Sequence, residues 1–177
     1  VAGASSLRAT LPQLLALLMA DEVKNLPALR PHQRWPLHCF LAQVSAMAML
    51  AGGETELPRE EVHWSHLLRG LTPGYPDDEP WTLIVDGLSK PAFMQPPVPE
   101  ASWEVLKEVE VTPDALDMLV TAKNHDLKGA RLNGASPEHW LFALITLQTW
   151  EGFLGRGNYG ISRMNGGFAS RPFIGAA

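Results

Sequence analysis

The stretch WTLIVDGLSKPAFMQ, residues 81–95, decides the fold class. Trp81 to Val85 is a short apolar run with aromatic and β-branched residues. Asp86-Gly87 is a favoured two-residue turn, and a second run ends in Ala92-Phe93-Met94-Gln95. This pattern predicts a short hairpin or two adjacent strands, with Pro91 at an edge or a bulge because it has no N–H to give to a ladder. Pro96-Pro97-Val98-Pro99 comes next as an extended stop. Most other periodic segments read as helices, so the expected fold is α+β: a helix-rich mixed domain with a small sheet or hairpin.

Upstream of this stretch, Thr10-Leu-Pro-Gln13 predicts a helix start. Thr10 caps the free amides, Pro12 is tolerated in the first turn and Gln13 sits at the capping-box position. Leu14, Leu15, Leu17 and Leu18 carry that helix to about Ala20. Residues 26–35, LPALRPHQRW, are interrupted by Pro27 and Pro31 and read as an extended connection. Its Arg30, His32 and Arg34 are either ligand contacts or solvated linker side chains. Pro36 is expected to open a second helix, with Leu37, Phe40, Leu41, Val44, Met47, Ala48 and Leu50 at helical spacing until Gly52-Gly53. Met47 and Met49 read as gap-filling core. A third, more polar helix over Glu60 to Leu71 is expected to turn Val62, Leu67, Leu68 and Leu71 inward. On it His63 and His66 stand three apart, where a metal could bridge them. Without a visible third ligand they read as surface histidines.

Downstream, Trp103 to Val111 is ambiguous between helix and strand. Thr112-Pro113-Asp114 predicts a helix start, followed by Leu116, Met118, Leu119 and Val120. Residues 121–129, TAKNHDLKG, gather polar groups without amphipathic period and read as a loop with functional potential. Ser136-Pro137-Glu138 begins another helix, and Trp140 to Leu147 is apolar on nearly every side, so this helix is expected to be buried. It leads into a glycine-rich loop, GFLGRGNYGISRMNGGFASR, residues 152–171. That segment holds six of the fifteen glycines and three arginines, and no Asp or Glu comes after Glu151.

A chain of 177 residues fits a single domain over 1–177, and 46% hydrophobic with 19% charged residues is a globular balance. Cys39, the lone cysteine, lies in an apolar run and reads as a buried thiol. No apolar run reaches bilayer length and no signal peptide is evident, so no membrane association and a cytoplasmic location are expected. The net charge of −5 argues against bulk coating of nucleic acid. Its distribution is uneven: residues 1–122 carry eight Lys or Arg against sixteen Asp or Glu, whereas residues 123–177 carry six against three. An acidic body with a local basic patch results.

Gly155-Arg-Gly157-Asn-Tyr-Gly160 spells G-x-G-x-x-G. A dinucleotide turn needs a strand before the glycines and a helix after them, and here a helix precedes, so no nicotinamide or flavin cofactor is expected. His125-Asp126, His139 beside Glu138, Ser162 and Ser170 form no recognisable catalytic spacing, so no enzyme and no metal are expected. Nucleic-acid binding needs cations for phosphate, aromatics or amides for bases, and backbone that can come close. Gly155, Arg156, Gly157, Asn158, Tyr159, Gly160, Arg163 and Asn165, with Arg171 beyond them, supply these. Lys123, Asn124, His125 and Lys128 add a second cluster.

Four segments then carry a resemblance: RPHQR (30–34), DDEPWTLIVDGLSKPAFMQPP (77–97), DMLVTAKNHDLK (117–128) and LITLQTWEGFLGRGNYGISRMNGGFASRP (144–172). In order and spacing the chain resembles the N-terminal portion of the large subunit, the CasA family, of the type I-E CRISPR surveillance complex Cascade. The resemblance implies a non-catalytic subunit that binds duplex DNA at the protospacer-adjacent motif. It also implies contact with the guide RNA handle, docking on other Cascade subunits and recruitment of a separate helicase-nuclease. By the same likeness Gly155 to Gly160 lie along the minor groove, where backbone reading suits a degenerate code. The loop at about Thr121 to Arg131 anchors near the guide handle. The short opening strand and the C-terminal helical bundle of the family have no counterpart in these 177 residues. The rival reading is a protein-interaction scaffold that docks other subunits without touching nucleic acid.

Overall fold

Thr10 opens the first helix, α1 (Leu11–Met19), as its sequence requires. Its hydroxyl accepts from the Gln13 N–H at 3.3 Å, and Leu15 points into the core. The computed structural model describes residues 8–26, 29–106, 111–116 and 135–151. They form two compact units, one containing Leu41–Pro73 and the other Leu29–Phe40 and the chain from Gly74 onward.

The second helix, α2 (Pro31–Gly52), starts five residues earlier than the proline pattern suggests. Pro31 has no N–H to leave unsatisfied in the first turn. Arg30 receives a capping contact, its N–H donating to Gln33 Oε1 at 3.3 Å, while the Gln33 N–H returns to the Arg30 carbonyl at 3.0 Å. Pro36 therefore lies inside the helix, where it removes one ladder donor but is itself fully buried. The buried residues of α2 are Gln33, Pro36, Leu37, Cys39, Phe40, Leu41, Val44 and Ala48, a wide face in the first turns that narrows to a spacing of three and four after Leu41. Met47 and Leu50, expected in the core, are 59% and 84% exposed. Because α2 is apolar around most of its circumference, periodicity alone does not say which side faces in.

α2 ends in a Schellman motif. Gly53 takes φ +71°, its N–H donates to Leu50 O at 3.3 Å and the Glu54 N–H to Met49 O at 2.9 Å. Nothing lies within 4 Å of a Cβ added at Gly53, so only the left-handed backbone opposes a side chain there. Gly53→Ala is expected to lower stability by about 1 kcal/mol, read as a shift in the urea midpoint at unchanged slope. In the same unit α3 (Glu61–Gly70) packs on α1, and Thr10 Oγ1 donates to Glu61 Oε1 at 3.2 Å. Leu67 and Leu68 are buried as expected. Val62, expected inward, is 80% exposed, and fully buried Trp64 fills the interior instead, its indole N–H donating to Pro58 O at 2.9 Å.

The expected α+β fold is corrected in the second unit: among the described residues there is no strand and no sheet. Glu79–Trp81 is a turn of 3-10 helix, and only an isolated bridge pairs Ala92 with Gln95. A ladder needs consecutive donors. Pro80, Pro91, Pro96, Pro97 and Pro99 remove five of them within twenty residues. The polypeptide is instead knitted by single bonds, Phe93 N–H to Thr82 O and Val98 N–H to Leu88 O, each 2.7 Å. Gly87, at φ +105°, bends the chain without forming a hairpin. Glu100–Val105 and Pro113–Ala115 are 3-10 turns, the latter packed against α4 (Pro137–Thr146). α4 begins where Ser136 predicts, with the Ser136 N–H donating to His139 Nδ1 at 3.2 Å. Ala143 through Thr146 are buried, as the apolar sequence requires.

Candidate nucleic-acid interface

The helix that delivers the chain to the glycine-rich stretch does not end at α4. It widens into a π-helical turn over Leu147–Glu151. Two hydroxyls back-bond to carbonyls four residues earlier beside this turn, Thr146 Oγ1 donating to Phe142 O at 2.7 Å and Thr149 Oγ1 to Ile145 O. The turn is also tied outward. Buried Gln148 donates its amide to Met94 O at 2.8 Å, and Thr149 Oγ1 lies 3.5 Å from Pro36 O.

Met94 is the other half of that anchor. Ala92 and Gln95 exchange both backbone bonds at 2.9 Å, which makes Phe93-Met94 a two-residue turn, and Met94 takes φ +59°. A non-glycine residue there costs roughly 1–2 kcal/mol, which the surrounding contacts offset. Phe93 is buried edge-on to Phe40 with centroids 5.7 Å apart, and Gln95 Nε2 donates to Leu83 O at 3.0 Å. The Phe-Met-Gln element is a fixed turn on which the segment before the glycines is hung.

Arg30 is drawn to the same unit by Asp114, with Nη1 2.7 Å from Oδ1 and the carboxylate side chain only 3% exposed. Of the three polar residues singled out between Leu26 and Trp35, Arg30 is thus structural, His32 is half-buried and Arg34 is exposed. His63 and His66 are both exposed, and His63 Nε2 lies 2.8 Å from Glu54 Oε1. Among the described residues no three His, Cys, Asp or Glu side chains gather as a metal set, and no helix is long and apolar enough to cross a membrane. Cys39 is buried.

The expected contact residues themselves, Lys123, Asn124, His125, Lys128, Gly155 to Gly160, Arg163 and Asn165, lie outside the described residues, as do Asp126, Ser162, Ser170 and Arg171. His139, the one described histidine of the catalytic candidates, is occupied at Nδ1 in capping α4. Sequence reasoning missed Asp114 as the partner of Arg30 and Gln148 as the link to Met94. The apolar surroundings of each polar side chain were their only signal. No family model, curated protein or solved structure matches the chain.

Proposed function

We propose that this chain is the non-catalytic, N-terminal portion of a CasA-like subunit of a cytoplasmic CRISPR surveillance complex. In this reading the glycine-rich stretch after the π turn contacts duplex DNA at the protospacer-adjacent motif. The 121–131 region contacts the guide RNA handle, and a separate helicase-nuclease supplies the cleavage. The observation that carries the reading is the collinear four-segment resemblance. It is supported by the way described parts of three segments meet in one compact unit. Gln148 bonds to Met94, Thr149 approaches Pro36, and Arg30 is pinned beside α4's partner turn by Asp114. A glycine loop reading a groove needs a fixed mount, because ordering it on binding would otherwise consume affinity. The tethered π turn is such a mount.

The test uses the chain assembled with the guide RNA and the other subunits. Duplexes with a randomised trinucleotide beside the target are bound across a salt series, by the wild type and by Arg156→Ala/Arg163→Ala. The double variant is expected to lose discrimination among flanking sequences and to lower the slope of log K against log salt by roughly 2, since each phosphate contact contributes about 0.9. Unchanged discrimination and slope would remove the groove contact and leave the scaffold reading.

A further inference from the structure

The exposed side of α2's first turns has a composition of its own. Arg34, Trp35 and His38 are all exposed, on the face opposite Gln33, Leu37 and Phe40. Trp35 is 59% exposed, and its ring sits 6.1 Å from that of His38, tilted by 51°. Neither Arg34 nor the Trp35 indole N–H has a hydrogen-bond partner among the described residues. No Asp or Glu occurs from Arg30 to Gly53.

We propose that this face binds single-stranded nucleic acid, with Trp35 stacking an unpaired base and Arg34, beside the α2 N-terminus, holding the adjoining phosphate. An exposed aromatic ring and an exposed guanidinium in the same helical turn, with no carboxylate in their own helix, complement a polyanion with exposed bases. Duplex DNA offers no base face to stack on, and an apolar peptide would leave the Arg34 guanidinium without a counter-charge. The other tryptophan that is exposed among the described residues makes the contrast. Trp103 is pinned by its N–H to Val98 O at 3.1 Å and is flanked by exposed Glu100 and Glu104, so it lacks both the freedom and the charge. Neither the resemblance nor the glycine-rich stretch is needed for this face to bind.

The experiment measures binding of a fluorescein-labelled, mixed-sequence RNA roughly 12 nucleotides long, the scale of one single-strand site. Wild type, Trp35→Ala, Trp35→Phe, Arg34→Gln and Trp103→Ala are compared, each checked for an unchanged circular dichroism spectrum. Trp35→Ala is expected to weaken binding by at least about fivefold, and Trp35→Phe by less because a stacking ring remains. Arg34→Gln is expected to reduce the salt slope by about 0.7, and Trp103→Ala to leave affinity within about twofold of wild type. A 5-bromouridine version of the RNA is expected to crosslink to the peptide holding Trp35. The proposal fails if wild type has no measurable single-strand affinity, if Trp35→Ala binds like wild type, or if the crosslink maps elsewhere. It also fails if Trp35→Ala impairs only assembly with protein subunits. Wild type that binds motif duplexes but not single strands would overturn this proposal while leaving the preceding reading intact. Trp35-dependent RNA binding without duplex recognition would do the reverse.

Discussion

Arg30→Met is expected to destabilise the unit containing Leu29–Phe40 by about 3 kcal/mol, and Asp114→Asn by roughly half as much. The asymmetry comes from where the two charges sit. The Asp114 side chain is 3% exposed, whereas that of Arg30 is 34% exposed, and the contact between them is 2.7 Å. Without the guanidinium the buried carboxylate loses its charged donor, and removing one partner of a buried ion pair costs about 3–5 kcal/mol. Without the carboxylate the guanidinium can turn toward water, and the asparagine oxygen still accepts one N–H. Arg30→Lys should fall between them, since it keeps the charge but not the planar fork. Amide exchange in α4, which packs on the turn holding Asp114, provides a local readout. Equal losses for the two substitutions, or a larger one for Asp114→Asn, would show that the carboxylate is not the buried partner.

The same pair explains what could and could not be read from the chain. Helix starts were legible because their signals are local: Thr10 and Ser136 open α1 and α4 where their side chains and the following prolines place them. The Gly52-Gly53 stop is legible for the same reason, as only the left-handed region completes that motif. Pro36 misled because a proline in the sixth position of a helix resembles one in the first, and the choice is made by the Arg30–Gln33 contact further back. Asp86-Gly87 misled because a hairpin depends on donors across the ladder. The prolines that remove those donors lie outside the turn. Of the candidate site, the sequence made the mount legible as a buried helix. Its π widening has no signal in the spacing, and its tether depends on Gln148 and Thr149 reaching the Met94 and Pro36 carbonyls, which no spacing rule connects.

In the unit containing Leu41–Pro73, Trp64→Ala should cost about 3–5 kcal/mol, a large part of the 5–15 kcal/mol that holds a typical domain. Trp64 is 0% exposed and shares the interior with Leu15, Leu67 and Leu68 as the largest buried side chain of this unit. Truncation removes the transfer free energy of the indole and leaves a cavity that α1 and α3 can close only by shifting against each other. It also strips the buried Pro58 carbonyl of the donor at 2.9 Å. Trp64→Phe separates the two effects, since most of the volume stays while the hydrogen bond is lost, and should cost about 1–3 kcal/mol. Amide exchange within α1 and α3 is expected to accelerate in both variants, more in alanine than in phenylalanine. If phenylalanine proved as costly as alanine, the Pro58 hydrogen bond and not the packed ring would be what closes this helix pair. If both were neutral, the interior would have to be filled by something other than Trp64.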